Sequence, residues 1–276
     1  MKLLAIDSSG LVASVAFLED GVLLAEYTVN YKKTHSQTLL PMLDAAASMI
    51  DMDLKTLDAI AVAGGPGSFT GLRIGSATAK GLGLALDKPL ISVPTVDALA
   101  YNLYDVEGLV CPMMDARRCQ VYTGIYRFKN HELLTVAAQK PEAVEDLAEE
   151  LNRLGEPVTV LGDGAAVYRE KLQELLKVPF TEAPPHLNRQ RAGALGALAL
   201  KYYEEGKIQT AREHQPEYLR LSQAERERAE REQSGRELSG RDKSERGRSD
   251  SRQFACRQPE SGQSGQEYSK GGITNG

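Results

Sequence analysis

Two aspartates that end apolar strands, and two glycine turns that precede helices, are the groups in this chain best suited to chemistry. Asp7 and Asp115 each close a run of apolar residues, and glycine turns lie at 64–67 and 162–164. Free amide N–H groups at a helix N-terminus suit a phosphate or a carboxylate. An aspartate at a strand end could hold a metal ion or orient a water molecule.

These groups define a candidate nucleotide cleft between two lobes. Its members come from strand ends and turns: Asp7, Ser8, Ser9, Gly65, Gly67, Ser68, Asp115, Arg117, Gly162, Asp163 and Gly164. The alternative interpretation is structural, because aspartates also cap turns and glycines also allow tight chain reversal. The pattern alone leaves both interpretations open.

Motifs that would make the cleft catalytic are missing. No Gly-Lys-Ser/Thr follows the first glycine turn, and the glycine spacing does not match the dinucleotide fingerprint. The four histidines form no i, i+4 pair, the three cysteines fit no metal spacing, and no serine lies in a Gly-x-Ser-x-Gly turn. We therefore predict no catalytic residue, no metal and no cofactor, and leave open ATP or ADP binding within a complex.

The elements that must position these residues occur twice along the chain. Each half reads as three strands, a helix, a strand and a helix, which predicts an α/β protein with a first lobe at 1–105 and a second at 106–221. The closing helices of the two halves are predicted at 95–103 and 168–176. A final helix, rich in small residues and predicted at 189–205, could pack back on the first lobe.

Composition changes sharply after residue 221. Residues 222–276 hold nearly equal numbers of acidic and basic side chains, many Ser and Gly, and few large apolar groups. Such a segment buries too little apolar surface to offset its ordering entropy. We expect a disordered polyampholyte tail. Its role and its authenticity stay open, because a lineage-specific extension and a shifted reading frame both fit.

The helix that follows the first glycine turn, predicted at 68–86, carries more glycine than a helix favours. Each interior glycine costs about 0.5–1 kcal/mol relative to alanine, so some interaction must offset the loss. Gly71, Gly75, Ala79 and Gly83 recur every fourth residue and form a stripe without bulky side chains. Such a stripe lets another backbone come close.

A second helix, predicted at 35–52, has apolar residues around more of its circumference than one sheet needs. Either it lies between two elements of the same chain, or its outer side packs on another protein. On the second interpretation both helices form a partner interface. Its residues would be His35, Leu39, Leu40, Leu43, Ala46, Ala47, Gly71, Ile74, Gly75, Thr78, Ala79, Leu82 and Gly83.

Charge and hydropathy narrow the class of protein. A net charge of −5 argues against a nucleic-acid-binding surface over the whole molecule. The first apolar run is too short for a signal peptide, and no stretch approaches the roughly 20 apolar residues that span a bilayer. We expect a cytoplasmic protein that does not bind membranes.

Several motifs together resemble the TsaB (YeaZ) family of bacterial proteins. The most specific is Gly-Gly-Pro-Gly-Ser-Phe-Thr-Gly-Leu-Arg-Ile-Gly at 64–75, with Ala-Ile-Asp-Ser-Ser at 5–9 before it. Shorter matches are Thr34-His35-Ser36, Ser92-Val93-Pro94-Thr95, Met114-Asp115-Ala116-Arg117, Val121-Tyr122 and Tyr218-Leu219-Arg220. The resemblance covers roughly residues 1–221 and implies duplicated actin-like lobes, as in actin, sugar kinases and Hsp70. The tail is absent from most members.

The resemblance also implies a function. Members of the family are required, with the related enzyme TsaD and the ATPase TsaE, to make threonylcarbamoyladenosine in tRNAs that read codons starting with A. TsaD carries a His-x-x-x-His metal pair just after the strand that here ends near Val93, whereas residues 94–101 contain no histidine. The implied role is a non-catalytic scaffold, with TsaD docked on helices 35–52 and 68–86.

Further partners follow from the same resemblance. TsaE would join the complex, a homodimer could use the same surface, and tRNA would be reached indirectly through the complex. The alternative function is an ATP-binding phosphotransferase of the same fold, with Asp7 and Asp115 near the phosphates. The absent lysine and the absent histidine pair count against that alternative.

Overall fold

The computed structural model describes residues 1–31 and 34–219. Within them the strands form two five-stranded sheets, and each sheet has the order third, second, first, fourth, fifth. The tail predicted at 222–276 lies outside the described residues. Among the residues described, no helix combines the length and the apolar character needed to cross a lipid bilayer.

The first sheet is an antiparallel meander extended by two parallel strands. Its first strand pairs antiparallel with the second and parallel with the fourth, so the first strand is central. Both faces of the central strands are buried, which agrees with their continuous apolar sequence. The strands are β1 (Lys2–Asp7), β2 (Ala13–Glu19), β3 (Val22–Val29), β4 (Ala59–Gly65) and β5 (Leu90–Pro94).

Helices cover both faces of this sheet. The helices α1 (His35–Met49) and α2 (Phe69–Leu86) pack beside each other on one face, over a core that includes Phe17. On the opposite face lie α3 (Thr95–Ala100) and the last helix, Ala192–Glu204. Short 3-10 turns follow at Leu54–Thr56 and Tyr101–Leu103.

The second sheet repeats the topology of the first. Its core lies between the sheet and its own helices. The strands are β6 (Leu109–Arg117), β7 (Gln120–Lys129), β8 (Glu132–Ala143), β9 (Val158–Leu161) and β10 (Phe180–Glu182). The helices are α4 (Val144–Leu154), α5 (Asp163–Val167) and α6 (Arg169–Leu175), which makes the last helix α7. The predicted α/β fold of duplicated βββαβα lobes is confirmed.

Several element bounds differ from the predictions. Helix α1 ends at Met49, because Asp51 adopts a left-handed backbone with φ of 49°. The helix predicted at 168–176 is α6, but the short helix α5 before it and the strand β10 after it were not predicted. Helix α7 packs on the first sheet, where a Cβ on Gly196 would lie 2.4 Å from Leu18 Cδ1. The lobe boundary at 105/106 stays a proposal.

Helix α3 connects the two lobes. Its apolar residues pack with residues of the second sheet in one buried cluster. The Asp97 carboxylate accepts hydrogen bonds from Tyr126 Oη of β7 at 2.6 Å and from Tyr202 Oη of α7 at 3.4 Å. Burial raises the pKa of Asp97. This helix follows β5, and its contacts hold the lobes together.

Candidate functional site

The first glycine turn is closed by its own chain. Gly65 N donates a hydrogen bond to Thr95 Oγ1 at 3.2 Å, and Ser68 N donates to Ser9 O at 2.6 Å. Gly71 N donates to Ser68 Oγ at 3.3 Å. A phosphate cradle works through free amide donors. At these three positions the donors already have partners, so the turn is a folded connection rather than an open anion site.

A segment late in the chain also covers this turn. We call residues 207–218 the strap. It pairs with β5 through reciprocal hydrogen bonds between Leu90 and Gln209, of 2.8 and 2.9 Å. Further on, Glu217 N donates to Gly64 O at 2.6 Å, and a Cβ on Gly65 would lie 2.2 Å from Glu217 O. The left-handed φ of +113° and this close approach both require glycine at position 65.

A buried histidine fixes the middle of the strap to α2. His214 is fully buried, with Nε2 3.0 Å from Ser76 Oγ and Nδ1 2.8 Å from Gln209 Nε2. Since the Gln209 amide nitrogen donates, Nδ1 accepts and the Nε2–H donates to Ser76. Lys80 Nζ donates to His214 O at 2.8 Å. Burial, helped by Lys80, lowers the pKa of His214 to about 4, so the imidazole is neutral near pH 7.

Asp7 is buried, and its carboxylate accepts hydrogen bonds within the turn that follows β1. Its Oδ1 accepts hydrogen bonds from Ser9 N at 2.9 Å and from Ser9 Oγ at 2.6 Å. Burial raises the pKa of Asp7. Ser8 Oγ donates to Gly71 O at 2.8 Å, and His35 Nε2 lies 2.8 Å from Gly10 O. These bonds hold α1 and α2 against the end of β1, which supports the structural interpretation of Asp7.

The second lobe has a corresponding cluster around Asp115. Asp115 N donates to Asp163 Oδ1 at 3.3 Å, while Asp115 Oδ1 accepts from Arg117 N at 2.9 Å and from Tyr168 Oη at 3.1 Å. Burial raises the pKa of Asp163. Gly162 N donates to Asn188 Oδ1 at 2.7 Å.

The second glycine turn is as crowded as the first. A Cβ would lie 2.1 Å from Met113 O at Gly162 and 2.9 Å from it at Gly164. The cleft residues therefore gather in two groups, one in each lobe, and no hydrogen bond described for 1–31 and 34–219 joins Asp7 to Asp115. In the same part of the chain, no group of three or more His, Cys, Asp or Glu could hold a metal ion.

The predicted stripe of small residues does not face a partner. Gly71, Gly75, Ala79 and Gly83 are all buried against the chain itself. A Cβ would lie 2.0 Å from Ser8 O at Gly71, 2.5 Å from Ser8 Oγ at Gly75 and 2.5 Å from Leu90 Cδ1 at Gly83. Placing these four residues in a partner interface was wrong. The backbone that comes close belongs to the same chain.

The same correction applies to most of the α1 residues. Leu39, Leu43, Ala46 and Ala47 are buried in the core beneath α1 and cannot reach a partner. Leu40 is 54% exposed, and His35 is half-buried at the start of the helix. Of the α2 residues, Ile74, Thr78 and Leu82 are half-buried at its edges. Of these five accessible residues, Leu40, Ile74 and Thr78 keep a place in the proposed interface.

A different stripe of α2 faces outward. It consists of exposed or half-buried uncharged residues spaced three or four apart, of which the sequence analysis predicted only Ile74 and Thr78 as interface residues. A Cβ on Gly81 would have nothing within 4 Å, and Leu84 is 57% exposed. We call this stripe, taken together with two exposed residues of the adjacent helix α1, the outer face: Leu40, Asp44, Ile74, Ala77, Thr78, Gly81, Leu84 and Ala85.

Comparison with known proteins gives consistent matches. The family model for TsaD, tRNA N6-adenosine threonylcarbamoyltransferase, matches residues 22–228. A protein of Bacillus subtilis named tRNA threonylcarbamoyladenosine biosynthesis protein TsaB is 34% identical over 225 residues, which cover 82% of this chain and 96% of that protein. The Escherichia coli protein of the same name is 37% identical over 166 residues, covering 58% of this chain and 71% of its own.

Solved structures agree. A Pseudomonas aeruginosa crystal structure, described as an uncharacterized protein with similarity to peptidase YEAZ, superposes with a TM-score of 0.69 at 28% identity. The match covers 79% of this chain and 99% of that one. A second structure, of YeaZ from Pseudomonas aeruginosa, has a TM-score of 0.65, the same identity and the same coverage.

Proposed function

The chain belongs to the TsaB family, and from that premise we propose that it is a non-catalytic subunit required for threonylcarbamoyladenosine formation in tRNAs that read codons starting with A. It acts by binding the TsaD transferase through the outer face. The ATPase TsaE joins this pair, and tRNA is reached through the complex. When TsaD is absent, a second copy of the chain can occupy the same face.

The observation that carries this proposal is the outer face itself. Leu40 on α1 and Leu84 on α2 are exposed on two adjacent helices, and a Cβ on Gly81 of α2 would have nothing within 4 Å. Helices with a small residue at the point of contact pack with their backbones close together. Apolar residues at such a surface stabilise a complex because binding removes them from water. A pair of helices from a related transferase lobe fits this surface.

The hydrogen bonds that close the candidate cleft favour a binding role for this protein over a phosphotransferase activity. The amides of Gly65, Ser68 and Gly71 are bonded within the chain, and Asp7 is bonded to Ser9. Phosphoryl transfer depends on positioned donors and a metal ion around the phosphates. These groups are engaged in holding the fold, so we assign the chemistry of the complex to TsaD.

The test is reconstitution of tRNA modification from purified proteins. TsaD, TsaE, tRNA and the threonylcarbamoyl donor are mixed with and without this protein, and modified adenosine is measured. We expect modification only when the protein is present, together with a shared peak with TsaD in size-exclusion chromatography. Equal modification when the protein is omitted would contradict the proposal.

A pair of variants separates binding from general damage. Leu84→Glu places a charge on the outer face and should abolish both the shared peak and the modification. Val167→Glu is the matched control, because Val167 is 60% exposed on α5 of the second lobe. It should leave both unchanged. Loss of modification by both variants alike would show that the outer face has no special role.

A further inference from the structure

Arg73 differs from the other residues on the outward side of α2. The exposed residues of this helix are otherwise uncharged: Thr70, Ala77, Gly81, Leu84 and Ala85. The helix has one other charged residue, Lys80, whose Nζ is bonded to main-chain oxygens of the strap. Arg73 is thus the cation that α2 leaves available at the border of the outer face.

The chain holds this guanidinium in place. Arg73 Cζ lies 4.0 Å from the centroid of the Phe69 ring, one turn earlier on α2. The Phe69 ring in turn packs on Tyr218, with centroids 4.9 Å apart. Tyr218 follows Glu217, whose backbone is bonded to Gly64. The strap and the glycine turn therefore fix an arginine that would otherwise sample many rotamers.

This stack sets what Arg73 can bind. A guanidinium that lies over a ring uses its flat face, and its N–H donors point outward around its edge. Within residues 1–31 and 34–219, no carboxylate pairs with Arg73. A partner that covers the outer face removes water from these donors, which is unfavourable unless acceptors replace it. A planar carboxylate matches two donors at once.

From this geometry we propose that Arg73 is a specificity-determining residue of the outer face and that it binds a carboxylate presented by the docked partner. The inference rests on the proposed function, since it concerns the surface on which the transferase docks. It predicts that the partner helix pair carries an aspartate or glutamate next to its apolar contact surface. Phe69 is a positioning residue that orients Arg73 for this contact.

The experiment measures the dissociation constant of the full-length protein with TsaD by calorimetry, at low and at high salt. Arg73→Glu should weaken binding about 100-fold, because like charges then face each other. Arg73→Lys keeps the charge but loses the planar fork and should weaken binding about 5-fold. High salt should weaken the wild type more than Arg73→Ala. Arg153→Glu, an equal charge change on α4, should have no effect.

Two outcomes separate this inference from the function beneath it. If Leu84→Glu abolishes binding while Arg73→Glu and Arg73→Lys bind like the wild type, the carboxylate contact is wrong and the docking face stands. If Leu84→Glu also binds normally, the proposed function fails. If Arg73→Glu lowers the thermal midpoint, the test rests on the affinity of Arg73→Lys and on the salt dependence of Arg73→Ala. If Arg73→Lys binds as tightly as the wild type and Arg73→Ala has the same salt dependence as the wild type, the inference is overturned.

Discussion

The two sides of α2 carry glycines with opposite consequences. On the inner side, Gly71 and Gly75 lie where a Cβ would collide with Ser8. On the outer side, a Cβ on Gly81 would meet nothing within 4 Å. Glycine at the first two positions is required by the chain's own packing. At Gly81 the fold does not require it, so a contact outside the chain is the better explanation.

The difference teaches that a stripe of small residues does not by itself identify a protein interface. Spacing places the residues on one side of a helix, but it does not say which backbone approaches them. Here the inner stripe allows α2 to lie close to β1 and β5, and the outer stripe leaves room for a partner. Stability and binding should therefore respond to different substitutions on the same helix.

The largest expected effect is on stability, at the inner side. Gly71→Ala places a methyl group 2.0 Å from Ser8 O, which is main chain and cannot rotate away. Forced overpacking of this kind costs about 3 kcal/mol. Urea unfolding should show this loss of free energy of unfolding. A variant as stable as the wild type would mean that α2 does not pack as closely on β1 as described.

The next effect concerns binding, on α1. Leu40→Glu puts a charge on an exposed position of the outer face and should weaken the TsaD complex about 30-fold without lowering the free energy of unfolding. Met49→Glu is the control on the same helix, since Met49 is 84% exposed and lies on the opposite side of α1 from Leu40. If both variants weaken the TsaD complex equally, the interface extends around α1 and is not confined to the outer face.

A pH experiment tests the buried contact between α2 and His214 of the strap. The pKa of folded His214 is about 4, below its ordinary value of 6.5. Between these values the unfolded chain binds a proton that the folded chain does not, so stability falls as pH decreases from 6.5 towards 4. His214→Gln should show a smaller fall than the wild type in urea unfolding at pH 4.5 and 7. Parallel falls would argue against a buried neutral imidazole.

The smallest effect is a gain in stability at the outer side. Gly81→Ala adds a methyl group to open space and removes a flexible residue from a helix interior, which stabilises by about 0.5–1 kcal/mol. Thermal unfolding should shift upward. It is also the matched control for Gly71→Ala, because the chemical change is the same. A destabilised Gly81→Ala would mean that the outer side of α2 is covered by the chain itself.

Much of the fold could be predicted from residue patterns. The repeated strand runs ending at Asp7 and Asp115 gave the two meanders, and small-residue spacing gave α2. Short elements were missed because three residues such as those of β10 carry no periodicity of their own. Strand pairing and buried neighbours, rather than propensity, decide such elements.

The site was predicted less well, for a physical reason. Sequence spacing identified α1 and α2 and kept Leu40, Ile74 and Thr78 at the exposed edge, but it assigned the inner glycines to a partner. What decides that question is contact between residues far apart in sequence, such as Gly71 with Ser8 and Ala211 with Gly83. The strap was also missed, because its bonds to Gly64 and Ser76 join residues that are far apart in sequence.

The most direct test of the docking face is the dissociation constant of TsaD with Gly81→Trp, measured beside its thermal midpoint. The indole fills space that is open in the free protein, so the thermal midpoint should not fall. If a partner helix occupies that space, binding should weaken about 100-fold or more. Wild-type affinity in a fully folded Gly81→Trp protein would contradict the account.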